Sequence, residues 1–124
     1  MSALEYRAAI VCGPLLPQVL DRLLGALANR ADLSVDRLND LALVGDAVSA
    51  AAAGAVTDRR LDVVATPTEA GIDLTFGPFA PGGAARVRRM GGLPGGGDLF
   101  AGVARQVEVV QDGAFERLVL RIVR

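Results

Sequence analysis

The apolar residues of the chain recur first with a helical period and then with an alternating one. Leu16, Val19, Leu20, Leu23, Leu24 and Leu27 fall three and four positions apart, the spacing of one helix face. Pro14 and Pro17 suit the entry of that helix, where early positions need no intrahelical donor, and residues 29–32 break it. Ser34 then supplies a capping hydroxyl for a second helix, with Asp36 in the first turn, where the helix dipole favours an acid. The apolar stripe of this helix is Leu38, Leu41, Ala42, Gly45, Val48 and Ala52, and Gly54 ends it. Ahead of both helices, residues 6–12 read as a short apolar strand closed by Gly13-Pro14.

Beyond residue 60 the period shortens to that of β-structure. LDVVAT (61–66) and IDLTF (72–76) predict two strands joined by the turn-rich residues 67–71. GPFAPGGAARVRRMGGLPGGG (77–97) carries eight glycines and three prolines, a density that predicts one long mobile loop. A short helix over 98–105 follows, then strands over 107–110 and 115–123, closed as a hairpin over Asp112-Gly113. Leu118, Leu120 and Ile122 mark the core side of the last strand. The order β-α-α-β-β-loop-α-β-β predicts an α/β two-layer sandwich over 1–124. Its sheet is mostly antiparallel and mixed, with the helices on one face.

Composition narrows the chemistry. A chain of 124 residues, 52% hydrophobic and 22% charged, suits one globular domain with a modest core. All 13 basic residues are arginine, and the formal net charge of -1 gives no reason to expect a nucleic acid partner. Absence of histidine removes the commonest general base and metal ligand. Cys12 stands alone, so it forms no internal disulfide or thiolate cluster and reads as a buried structural thiol. MSALEYRAAIVCG carries Glu5 and Arg7 where a signal peptide has its basic and apolar regions. No segment approaches the ~20 apolar residues of a membrane span, so the cytoplasm is the expected compartment.

Three features carry candidate chemistry. GGLPGGGDLF runs a glycine-rich loop into a helix near Asp98, and such an entry can cradle phosphate through backbone donors. It lacks the GxxxxGK[ST] pattern, and the chain has no lysine to reach a phosphate. RVRR offers Arg86, Arg88 and Arg89 to a small anionic ligand or acidic partner, or forms a solvated basic turn. Asp46 shares one face of the second helix with Asn39, Leu43 and Ala50. No second acid, histidine or lysine lies within a turn on that face, so Asp46 is either a solvent-facing carboxylate or a solitary catalytic one.

The segment DRLNDLALVGDAVSAAAAGAV resembles the second helix of the anti-sigma-factor serine kinases, members of the histidine-kinase-like (GHKL) ATPase superfamily. Those helices read approximately DLxLAVxEAxTNAV. GVARQVEVVQDGAFERLVLRI is similar to the family's ending, roughly LADEVEVxxxxGGTxVxLxF. The intervening hairpin, Gly-Pro turn, lid position and glycine-rich helix entry keep the family's order, so the likeness covers nearly the whole chain. It implies a GHKL-like ATPase fold.

The same resemblance implies a glutamate that activates a nucleophile and, four residues on, an asparagine that holds Mg²⁺. Asp46 takes the first position and Ala50 the second, and alanine has no oxygen to offer a metal. The family's DxGxG turn, whose aspartate recognises adenine, corresponds to TFGPF (75–79): Gly77 is kept, Thr75 replaces the acid and Phe79 the second glycine. The terminal GT is replaced by Glu116-Arg117. Gly77 with Gly91, Gly92, Gly95, Gly96 and Gly97 is left as the set for phosphate contact. Taken together, the resemblance and its departures imply a pseudoenzyme with a vestigial Asp46 and no cofactor. It would regulate transcription by binding a sigma factor or a STAS-type anti-anti-sigma protein, and the family is often homodimeric. The alternative is an active serine/threonine protein kinase that uses ATP and Mg²⁺ with Asp46 as base.

Overall fold

The computed structural model describes residues 5–90 and 98–124. It contains β1 (Tyr6–Val11), α1 (Leu16–Arg30), α2 (Val35–Ala55), β2 (Arg60–Pro67) and β3 (Gly71–Phe79). After these come α3 (Gly83–Met90), α4 (Leu99–Val103), β4 (Gln106–Asp112) and β5 (Phe115–Val123). The strands form one sheet in the order β1-β2-β3-β5-β4. The fold is α/β, as the pattern of periods predicts.

Every pairing in the sheet is antiparallel, which corrects the expectation of a mixed sheet. The reason is the even number of helices between β1 and β2. α1 carries the chain away and α2 brings it back, so β2 starts beside the end of β1, with Arg60 opposite Val11. The two hairpins β2-β3 and β4-β5 preserve the alternation. Hairpin β4-β5 turns over Gly113-Ala114, one residue later than expected, because Asp112 and Phe115 are themselves paired and Gly113 takes the positive φ of 63°.

The helices cover one face of the sheet. From the strands, Ile10, Leu61, Val63, Ala65, Ile72, Leu74, Phe76, Leu118, Leu120 and Ile122 are buried there, and Leu20, Leu24, Leu41, Val44 and Val48 meet them from α1 and α2. Each such aliphatic or aromatic side chain removed from water contributes ~1.5–3 kcal/mol before entropy is counted. Ser34 caps α2 as expected, its Oγ accepting from the Arg37 amide at 3.2 Å. The buried stripe of α2 is Leu41, Val44, Gly45, Val48, Ala51, Ala52 and Ala55, so it lies slightly off the predicted line. Leu38 is exposed, and the helix runs through Gly54 rather than stopping there. Alanines and Gly45 let α1 and α2 approach closely: a Cβ on Gly45 would lie 3.2 Å from Leu24 Cδ1.

Residues 77–97 do not form one loop. Residues 77–79 complete β3, and Gly83–Met90 is helix α3. Glycine density averaged over 21 residues conceals AARVRRM, a run of mostly good helix formers between glycine clusters. The glycine at its start is needed for packing, since a Cβ on Gly83 would lie 2.9 Å from the Phe79 Cβ and 3.0 Å from the Ala55 carbonyl oxygen. α4 is shorter than predicted and is capped by Asp98, whose Oδ1 accepts from the Phe100 and Ala101 amides. No helix among the described residues is long and apolar enough to cross a membrane.

Candidate functional site

Asp46 lies on the solvent side of α2. Its line of neighbours, Asn39, Leu43 and Ala50, is exposed throughout. At 100° per residue this line falls opposite the middle of the buried stripe, so its side chains point away from the sheet. Gly77 belongs to the other side of the molecule. It is buried in β3 opposite Asp62, in the positive-φ conformation (151°), and a Cβ there would meet the Glu116 carbonyl oxygen at 3.0 Å and Arg117 Cγ at 3.3 Å. The helical layer and the sheet separate Asp46 from Gly77, so they do not form one site. Gly91, Gly92, Gly95, Gly96 and Gly97 lie outside the described residues.

The TFGPF turn is filled by its own side chains. β3 bulges between Phe76 and Phe79, the Gly77-Pro78 peptide is cis, and both phenylalanines are fully buried. Phe79 packs beneath α3 against the end of α2, where Val56 bridges to it and the Ala80 amide donates to the Ala55 carbonyl at 2.8 Å. Thr75 sits on the opposite face, in the middle of the sheet, between Val64 and Val119.

Glu116 is a buried acid that periodicity did not single out. It stands on the core side of β5 at 9% exposure and reaches the first turn of α3. The Ala84 amide donates to its Oε1 at 3.2 Å, and the Gln111 Nε2 donates to its Oε2 at 3.2 Å. Hydrogen bonding from the Gly82 backbone, with these two donors, holds its carboxyl below the usual glutamate range against a desolvation that pushes it up. The chain thus supplies its own anion to the amides that open α3. The one available signal was the place of Glu116 in the inward alternation with Leu118, Leu120 and Ile122.

The three arginines of RVRR lie on α3 rather than on a turn, and they diverge. Arg86 lies over Gly54 of α2, with its guanidinium 3.4 Å from where a Cβ would stand. Arg88 donates to Asp98 Oδ2 at 3.1 Å, tying α3 to the cap of α4, and Arg89 is exposed. Cys12 is half-buried, and burial pushes its thiol pKa up, away from the reactive thiolate.

The described concavities gather on the sheet face that carries no helices. One, of about 260 Å³, runs between Arg7, Ala9, Asp62, Val64 and Arg117, and a second, of about 310 Å³, adjoins it at Glu5 and Thr75. A third, of about 470 Å³, lies toward the β2-β3 turn, lined by Thr68, Asp73, Arg105, Gln106 and Arg121. Register fixes how this face is laid out. One row across the five strands reads Arg7, Val64, Thr75, Val119, Glu108. The next reads Ala9, Asp62, Gly77, Arg117, Val110. The face thus mixes apolar and charged positions: the first row has an apolar middle and charged edges, whereas in the second Asp62 and Arg117 stand inside Ala9 and Val110. No known family's profile matches the chain, and no curated protein is similar to it in sequence.

Proposed function

We propose that this protein is a regulator of transcription that works by binding another protein, in the manner of an anti-sigma factor without nucleotide. Its partner would be a sigma factor or a STAS-type anti-anti-sigma protein. The observation that carries this reading is the filling of the TFGPF position: Phe79 occupies the space under α3, and Glu116 accepts from the Gly82 and Ala84 amides at the opening of that helix. A nucleotide phosphate brought to those amides would meet a carboxylate already bonded to them.

The α2 positions support the same reading. Asp46 points to solvent and Ala50 offers no oxygen. Stepping the family motif by one residue reaches Ala47 and Ala51, which pack inward, and neither carries a ligand atom. The GHKL-like fold is part of this proposal and rests on the order of elements together with the quoted segments.

Calorimetry with Mg-ATP tests the nucleotide half of the proposal: no binding heat is expected, and micromolar binding overturns it. ATP turnover by wild type and Asp46→Asn separates the kinase alternative, because a working base predicts a rate that the variant loses. Pull-down followed by mass spectrometry tests the partner half. Recovery of a sigma or STAS protein is expected, and direct titration showing no binding to either class overturns it.

A further inference from the structure

We infer that the cavity at the β2-β3 turn binds a small α-amino acid with an aliphatic side chain, its carboxylate held by Arg105 and Arg121 and its ammonium by Asp73. What sets this cavity apart from the other two is how its charges are paired. Arg7 is bound to Glu5 at 3.1 Å and Arg117 to Asp112 at 2.8 Å, so the arginines of the two smaller depressions are already matched within the chain. Arg105, by contrast, has no carboxylate within ion-pair distance among the described residues. Arg121 approaches Asp73 only to 4.0 Å, past hydrogen-bond length, so both ends of that pair keep bonding capacity. The cavity, of about 470 Å³, therefore holds two guanidiniums to one carboxylate, and none of the three is fully engaged.

The backbone fixes its walls. Asp73, Arg121 and Gln106 are successive members of one row across β3, β5 and β4. The Arg105 amide donates to the Arg121 carbonyl at 2.8 Å, which holds the residue before β4 against β5. On the far side the turn is closed twice: the Thr68 amide donates to the Gly71 carbonyl at 2.9 Å, and the Gly71 amide donates to Thr68 Oγ1 at 3.0 Å. The Thr68 hydroxyl thus keeps its own hydrogen to donate. Gln106 is committed elsewhere, since its Nε2 donates to Glu108. Ala70 and Val123 supply the apolar part of the lining.

Each group matches one part of an α-amino acid. A guanidinium fork bonds a carboxylate through two parallel N–H donors, and the second arginine with the Thr68 hydroxyl meets the remaining lone pairs. The ammonium sits on the adjacent carbon, so it needs an acid beside one of those arginines, which is where Asp73 stands. An inorganic anion would be repelled by Asp73, and a simple amine by both guanidiniums. A molecule with both signs on neighbouring atoms satisfies all three groups. A short aliphatic side chain then lies on Ala70 and Val123. Because the arginines are exposed and the cavity opens to water, a dissociation constant in the millimolar range is expected.

Titration of isotope-labelled protein, followed by two-dimensional amide NMR, tests this with L-leucine and three comparison probes. Isocaproate lacks the ammonium, isoamylamine lacks the carboxylate, and inorganic phosphate offers an anion alone. L-leucine should give saturable shifts centred on the amides of Thr68, Asp73, Arg105 and Arg121. Isocaproate should bind ~10-fold more weakly, and isoamylamine and phosphate should give no saturable shifts. R105Q and R121Q should each weaken leucine binding at least ~10-fold, and D73N should make leucine and isocaproate bind alike. These side chains lie outside the core, and the same spectra report whether each variant is folded. Leucine shifts that are absent, or unsaturated in the tens of millimolar, overturn the inference. So does isocaproate or phosphate that binds wild type as tightly as leucine, or a folded R105Q that binds leucine like wild type.

Discussion

The two faces of the sheet are made from the same strands, residue by residue in alternation, yet they obey different rules. On the covered face the three central strands carry Leu, Ile, Val, Ala or Phe with no more than a few per cent exposure, except for Glu116, which is engaged in hydrogen bonds; at the edges Tyr6, Val109 and Gln111 share this face and are less buried. The open face mixes Val and Thr with Arg, Asp and Glu, most of them half-buried by their neighbours alone. The difference separates what holds the fold from what is available for recognition. Packing density constrains the first, whereas the second accommodates polar and charged side chains among its apolar ones.

Neighbouring residues on β3 give the sharpest test of that contrast. Phe76→Ala should cost ~3–5 kcal/mol of unfolding free energy in denaturant titrations, since the ring is fully enclosed. Gly71→Ala probes the seam between β3 and β5, because its Cβ would lie 2.0 Å from the Ile122 carbonyl oxygen. A loss of ~1–3 kcal/mol is expected there, and a stability unchanged from wild type would show that the strands separate without cost. Thr75→Ala, one residue from Phe76 but facing outward, should stay within ~0.5 kcal/mol when measured on dilute protein. If Thr75→Ala costs as much as Phe76→Ala, the distinction between the faces fails.

Glu116 sharpens the comparison from the polar side. Its folded pKa is lowered, so its contribution is complete above the ordinary glutamate value of ~4.3 and is lost as pH falls through the folded value. Wild type should therefore be more stable than Glu116→Gln at pH 7, and the gap should close in strong acid. Parallel unfolding titrations at the two pH values check this, and a gap that widens in acid would contradict the assigned hydrogen bonds.

Much of the fold was legible because it depends on local period. α1, the start of α2 and the core side of β5 follow from spacing and a capping serine alone. α3 was not legible, since glycines on both sides hid eight helical residues. The site was less accessible for a different reason. Asp46 shows its direction on a helical wheel, but the layout of the open face depends on which residue of β1 stands beside which residue of β2, 57 positions later in the case of Arg7 and Val64. No segment carries that register by itself. Glu116 was hidden in the same way, because its donors lie in α3 and β4.

The hydrogen bond from Ala84 to Glu116 spans 32 residues and ties α3 to the closing hairpin. An eight-residue helix cannot sustain itself in water. The order in which the chain acquires protection should reflect this. Amides of α3 should resist hydrogen exchange only once β5 has joined β3, so α3 and the β4-β5 hairpin should open as one cooperative unit while α1 and α2 remain closed.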